Sequence, residues 1–242
     1  MMEEMFEEKL LSEWPVAQNW GFVLFLFCFF ISMQLLGKRF RLFSSMLHSI
    51  FREGNRQSIF TEPVDNEFLT KILLCLQTVI LTAVIIYCTL FHTRDIPFET
   101  IAQQLFWTLG SFSLLIIVFI LYKFASTVLI GNVFFPKENV LLLNFNLFSI
   151  LSLSGFVLFI PTLLMFYVSS AYYFCFYFNI IYFLFIEMLM IYKIYVIFFH
   201  HKSLLLYFIL YLCAQEIVPL YLLYKAFGYL IFMMQNGTLW SQ

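Results

Sequence analysis

ILLCLQTVILTAVIIYCTLF, residues 72–91, carries no charged side chain over twenty positions. Wound as an α-helix at 1.5 Å per residue, such a run is about 30 Å long, the thickness of a bilayer's hydrocarbon core. Inside lipid no water is available to backbone N–H and C=O groups, so a segment of this kind closes its hydrogen bonds internally and is a helix. This reading decides the fold, because similar runs recur on both sides of it.

The runs cover residues 20–36, 72–91, 104–124, 140–168, 171–199 and 203–224, about six spans. The whole chain of 242 residues is 63% hydrophobic and 11% charged, with a mean hydropathy of +0.93. Soluble domains are about 45–50% apolar and about 25% charged, so this chain has too much hydrocarbon for water to be its only solvent. The fold class expected is all-α: a polytopic transmembrane helix bundle of one domain, residues 20–234. An acidic N-terminal segment, 1–19, precedes it and a tail, 235–242, follows.

Two places complicate the simple count. The third run stays apolar past Tyr122 and Lys123 as far as Pro136, and Gly131 is where a break is expected. In the fourth, Pro161 is expected to kink the helix. Near the N-terminus, Phe6, Leu10 and Trp14 recur every fourth residue among Glu3, Glu4, Glu7, Glu8 and Glu13. That pattern reads either as a short interfacial helix or as a frayed acidic tail, and its acidity excludes a signal peptide.

Loop charge sets the expected orientation. Lys38, Arg39, Arg41, Arg52, Arg56 and Lys71 flank or occupy the first loop, Lys137 the third, and Lys202 the fifth beside His200 and His201; the opposite side has Lys9 and Arg94. Basic residues stay in the cytoplasm. Both termini are therefore expected outside, with Tyr167, Tyr172, Tyr173 and Tyr177 at an outer turn.

The first loop, residues 37–71, is the one sizeable polar region. Phe40, Phe43, Leu47 and Phe51 share a helical face flanked by Arg41, His48 and Arg52, which predicts an amphipathic helix on the inner leaflet. The loop is either a connector on the membrane surface or a docking site for a partner, with Arg41, Arg52, Arg56 and Ser58 as the docking candidates.

Acids inside apolar runs demand a reason, since each costs about 2.5–3.5 kcal/mol at a helix centre on insertion scales. Glu187 lies fourteen residues before His201 and Glu216 fifteen after it, so both sit about 21–22 Å from that turn. Lys123 falls at a comparable depth if its helix reaches Pro136, while Lys193 and Lys225 are near enough to the interfaces to snorkel. These groups serve either as hydrogen-bonded glue between helices or as a proton or ion relay. Asn144, Asn146, Ser149, Ser152 and Ser154 give the fourth span a polar portion, either packing glue or a cavity lining. Proline at 219 is expected to free a carbonyl near Gln215 and Glu216.

Motifs for catalysis and cofactors are missing: no HExxH, GxSxG, P-loop or GxGxxG occurs. The five cysteines, Cys28, Cys75, Cys88, Cys175 and Cys213, are odd in number and lack CxxC spacing, which points away from a disulfide framework or a zinc site. No metal, no cofactor and, with a net charge of −1, no nucleic-acid partner are expected.

Three stretches carry a resemblance. Arg56-Gln57-Ser58-Ile59-Phe60 with Asn66-Glu67, Tyr122-Lys123 with Gly131-Asn132-Val133-Phe134-Phe135, and the run Leu210–Leu220 resemble an uncharacterised bacterial inner-membrane family of Bacteroidota, with Gln215 where leucine is more usual. The resemblance implies a multi-pass protein of the inner membrane in a Gram-negative envelope and brings no reaction. The function expected is a non-enzymatic scaffold or assembly factor for an envelope complex, with the bilayer and a membrane protein as partners. The alternatives are a small proton- or ion-coupled transporter using Glu187 and Glu216, with Lys123 as counter-charge, and a lipid-acting membrane enzyme.

Overall fold

The structure, a computed structural model, describes residues 15–38, 65–93, 105–134, 137–168, 171–198 and 217–235. Those residues form six α-helices and no strand: α1 Pro15–Lys38, α2 Asp65–Thr93, α3 Leu105–Phe134, α4 Lys137–Tyr167, α5 Tyr172–Phe198 and α6 Val218–Gln235. The fold is an all-α bundle of apolar helices. Four of them are long and apolar enough to cross a membrane, at Leu69–Leu90, Trp107–Leu129, Leu143–Tyr167 and Tyr172–Tyr195. Shorter apolar stretches occupy α1, at Gly21–Met33, and α6, at Val218–Phe232. The surface helix expected around Phe40–Phe51, the acidic stretch Glu3–Glu13 and most of the sixth apolar run lie outside the described residues.

Several boundaries differ from the sequence-based expectations. Helix α1 starts at Pro15, a residue type suited to a first helical turn because its missing N–H has no intrahelical partner there in any case. Helix α2 starts at Asp65, seven residues before the uncharged run. Helix α3 is continuous to Phe134, so Gly131 does not break it. The glycine has another use: a β-carbon at 131 would stand 2.8 Å from Val140 Cγ2, and its absence lets α3 and α4 come together across their short connection. Helix α4 runs on through Pro161, and next to it Thr162 Oγ1 donates to the Leu158 carbonyl at 2.6 Å. Helix α6 continues through the apolar residues after Tyr224 to Gln235, with Pro219 at its second position.

The chain divides into two compact units. The first comprises Met1–Ile116 and Asn146–Met188, the second Ile117–Phe145 and Leu189–Gln242. In the first unit α1 runs antiparallel to α2 and α4. Phe25 packs on Phe166 and Tyr167 at the C-terminal end of α4, with ring centroids 5.4 and 5.8 Å apart, while Phe29, one turn later, meets Phe159. Against α2, Ile31 packs with Leu74, whereas Phe25 and Cys28 share a cluster with Leu81, Val84 and Ile85. Helices α2 and α4 are parallel: Ser152 reaches Lys71, and Gly155 reaches Leu74 and Thr78. At the other end of α2, Tyr87 and Cys88 pack with Leu109 near the start of α3. After a turn in which Val168 N–H bonds to Leu164 O and Ala171 N–H to Val168 O, α5 returns antiparallel to α4 and brings Asn179 beside Met165. Helices α1 and α5 thus run opposite to α2 and α4.

Polarity across the helices is inverted relative to a soluble protein. On α4 the buried side chains include Asn146, Ser149, Ser152, Ser154 and Thr162, while Leu141, Phe145, Ile160 and Leu164 are exposed. On α3, Thr108, Lys123, Ser126 and Thr127 are buried, and Trp107, Leu114, Leu121 and Leu129 face out. Water would impose the opposite arrangement, with polar groups outside. Lipid imposes this one: tails solvate the hydrocarbon, and polar groups turn inward to find partners.

Candidate functional site

The densest polar site is a seam of hydrogen bonds across α1, α2 and α4 in the first unit. At its centre Gln77 is fully buried. Its side-chain amide has two protons and spends them on two helices: Nε2 donates to Ser32 Oγ on α1 at 2.9 Å and to the Gly155 carbonyl on α4 at 3.2 Å. The Gly155 carbonyl is within reach because residue 155 has no β-carbon to hold α2 and α4 apart.

On either side of Gln77, hydroxyl groups repeat the device. Thr78 Oγ1 lies 2.9 Å from both the Leu74 carbonyl of its own helix and the Leu151 carbonyl of α4, so its proton is shared across the contact. Ser152 Oγ lies 2.8 Å from the Phe148 carbonyl and 3.1 Å from the Lys71 carbonyl of α2. Each hydroxyl satisfies itself locally and adds an interhelical component. Other hydroxyls bond back within their helices: Thr82 to Thr78 O, Thr89 to Ile85 O and Ser154 to Leu151 O. Such back-bonding conceals a hydroxyl in an apolar setting. Interhelical polar contacts in membranes average about 0.6 kcal/mol each, so the seam contributes on the order of 2 kcal/mol and, through geometry, fixes the register of three helices.

Not every polar atom is satisfied. Among the described residues, Gln77 Oε1, Thr108 Oγ1, Asn144 Oδ1, Tyr167 Oη and Asn179 Oδ1 are buried without a hydrogen-bond partner. Asn179, 2% exposed, has only a long Nδ2 contact of 3.8 Å to Met165 Sδ.

The residues singled out from sequence fall in different places. Ser152 belongs to the seam. Asn146 is buried and Asn144 half-buried on the same helix, α4. Glu187 is half-buried on α5 in the first unit, and Lys123, 9% exposed, lies on α3 in the second. Glu216, Arg41, Arg52, Arg56 and Ser58 lie outside the described residues. Lys193 does not snorkel: it is 4% exposed, turned into the protein. Lys225 is exposed, with its ammonium 5.8 Å from the centre of the Tyr221 ring one turn back. Among the described residues no group of three His, Cys, Asp or Glu side chains is arranged to hold a metal ion.

Gln77, Ser32, Thr78 and Gly155 were not singled out from sequence. A signal for Gln77 was present: it is the single side-chain amide in residues 72–91, and an amide surrounded by lipid would lose its hydrogen bonds.

The sequence model of one family, described as a domain of unknown function (DUF4271), matches residues 21–227, from the first glycine of α1 into α6. No curated protein and no solved structure matches the chain. With the match covering most of its length and reaching into each of the six helices, this chain belongs to the DUF4271 family.

Proposed function

We propose that the protein is a non-enzymatic scaffold or assembly factor of a bacterial inner membrane, holding its basic first loop in the cytoplasm for a partner of an envelope complex. The observation that carries this reading is the use made of polarity in the first unit. Gln77 donates to two neighbouring helices, and Thr78 and Ser152 share their protons between their own helix and the next. Groups committed in this way lock helices together, which suits a rigid membrane platform. The placement of basic residues supports both termini on the outer face and the segment Gly37–Thr70 on the inner one.

The test is affinity purification from mild detergent followed by mass spectrometry, comparing the natural chain with the R52E/R56E variant. The expected result is a stable membrane-protein partner whose recovery falls several-fold in the variant at unchanged levels of the chain itself. Recovery of the same partner in equal amounts from both would remove the docking role of the loop.

A second reading, a small proton- or ion-coupled transporter, draws on the half-buried Glu187 and the buried Lys123 within apolar helices. Flux measured with the purified protein in vesicles separates it from the first.

A further inference from the structure

Helix α5 presents one face made wholly of apolar and tyrosine side chains. Tyr173, Tyr177, Ile181, Leu184, Met188, Tyr192 and Tyr195 are all exposed, together with Phe174, Phe178, Ile180 and Phe185. At 100° per residue these positions fall within one arc of about 160°. Tyr172, Cys175, Asn179, Ile186, Met190, Lys193 and Ile194 form the opposite, buried side. The polar side chains of α5 other than tyrosine avoid the exposed arc: Asn179 and Lys193 are on the buried side, and half-buried Glu187 sits at its edge.

Three features specify what covers this face. The arc holds no charge, amide or small hydroxyl, so water is a poor match for it. It also holds no Gly, Ala, Ser or Thr; none occurs in Tyr172–Phe198. Helices that dock on one another in membranes use such small residues to bring backbones together, as Gly155 and Ser152 do between α4 and α2. Finally, its tyrosines stand only toward the ends. Tyr173 and Tyr177 are exposed near the N-terminus of the helix and Tyr192 and Tyr195 near its C-terminus, with Ile180, Ile181, Leu184, Phe185 and Met188 between. The outer pair of tyrosines is about 33 Å apart along the axis and the inner pair about 22 Å, which brackets a hydrocarbon core of about 30 Å. Tyrosines favour the level of the headgroups, where the ring is in hydrocarbon and the hydroxyl in water.

We infer that the exposed face of α5 is a permanent lipid-contact surface crossing the whole bilayer, with Tyr173/Tyr177 and Tyr192/Tyr195 at the two headgroup levels, and that protein partners dock elsewhere. The inference rests on the reading of the chain as membrane-embedded and deepens it by assigning acyl chains to one particular face.

The experiment uses the natural chain in its own membrane. A carbene-generating diazirine partitioned into the lipid labels residues that touch acyl chains, and hydroxyl radicals generated in the water label residues that touch solvent; both are read by mass spectrometry. Leu184 and Met188 are expected to take several-fold more carbene than Ile186 and Met190, with Met188 protected from radical oxidation. Weak carbene labelling on α5 alongside strong labelling at Phe22–Met33 and Leu114–Leu121 would show protein covering the face. That outcome overturns the inference and leaves the membrane reading intact. Radical oxidation of Met188 would overturn it in favour of water. Carbene adducts absent from all the helices would remove the membrane reading and this inference with it.

Discussion

Gly155 faces Thr78 so closely that a β-carbon at 155 would stand 2.5 Å from Thr78 Oγ1 and 2.8 Å from the Leu74 carbonyl oxygen. The second of these neighbours is backbone and cannot swing aside. Gly155→Ala therefore forces α2 and α4 apart and weakens the bonds that Gln77 and Thr78 make to α4. Overpacking of this kind costs about 1–3 kcal/mol. Gly21→Ala should cost less, because the atoms met there are the far edge of the Phe166 ring. Gly110→Ala and Gly228→Ala should be neutral or stabilising, since nothing lies within 4 Å of the added carbon. Reversible unfolding in mixed detergent micelles gives the order, and a Gly155→Ala variant as stable as Gly228→Ala would contradict the close contact.

The bond from Gln77 to Ser32 predicts a measurable coupling between α1 and α2. In a cycle of Ser32→Ala, Gln77→Leu and the double variant, the coupling should be about 0.6 kcal/mol and no more than about 1.7 kcal/mol. Gln77→Leu alone should be tolerated better than a buried amide usually is, because its Oε1 has no partner to lose. A coupling near zero by the same unfolding assay would mean that the 2.9 Å bond contributes no stability.

Placement of the first loop in the cytoplasm is open to a labelling test. In Glu53→Cys, the new thiol next to Arg52 should react with a membrane-impermeant maleimide only after the inner membrane is opened. The natural cysteines fall in apolar runs, and those at 28 and 175 are buried, so the background is low. Labelling of residue 53 from outside in sealed cells would invert the orientation.

Neutralising Glu187 and Glu216, the two acids within apolar runs, separates a platform from a transporter. Glu187→Gln with Glu216→Gln keeps donors and acceptors of similar shape but abolishes titration. A scaffold should retain partner binding within about twofold. A relay through these carboxyls would lose pH-dependent solute flux in reconstituted vesicles, and such a loss together with intact folding would displace the scaffold reading.

Much of the fold was legible in the sequence. Uncharged runs such as Ile72–Phe91 leave lipid as the matching solvent, and lipid leaves helix as the matching backbone, so helix type and approximate position followed from composition and length. Helix ends and interruptions followed less well. Gly131 reads as a break and Pro161 as a kink because their intrinsic preferences disfavour a helix; α3 nevertheless runs on through Gly131, and α4 carries Pro161 inside one helix. With backbone groups cut off from water, a local preference of about 1 kcal/mol at a glycine is overridden. The candidate site was legible in part. Ser152 stood out within a serine-rich stretch, whereas Gly155 carried no mark distinguishing a contact glycine from Gly110, which meets nothing.

Sequence alone determined the solvent, the secondary structure and the clustering of basic residues between the first two apolar runs, because each is a sum over many residues that no single contact reverses. The tertiary structure decided which faces are turned inward. That Gln77 meets Ser32 and Gly155, that Lys193 is covered, and that Tyr173, Tyr177, Tyr192 and Tyr195 of α5 look outward while Tyr172 looks inward depend on the rotation of each helix about its axis. Apolar residues surround these helices on nearly every side, so their pattern leaves that rotation open; it is set by a few hydrogen bonds and by close approaches at glycine.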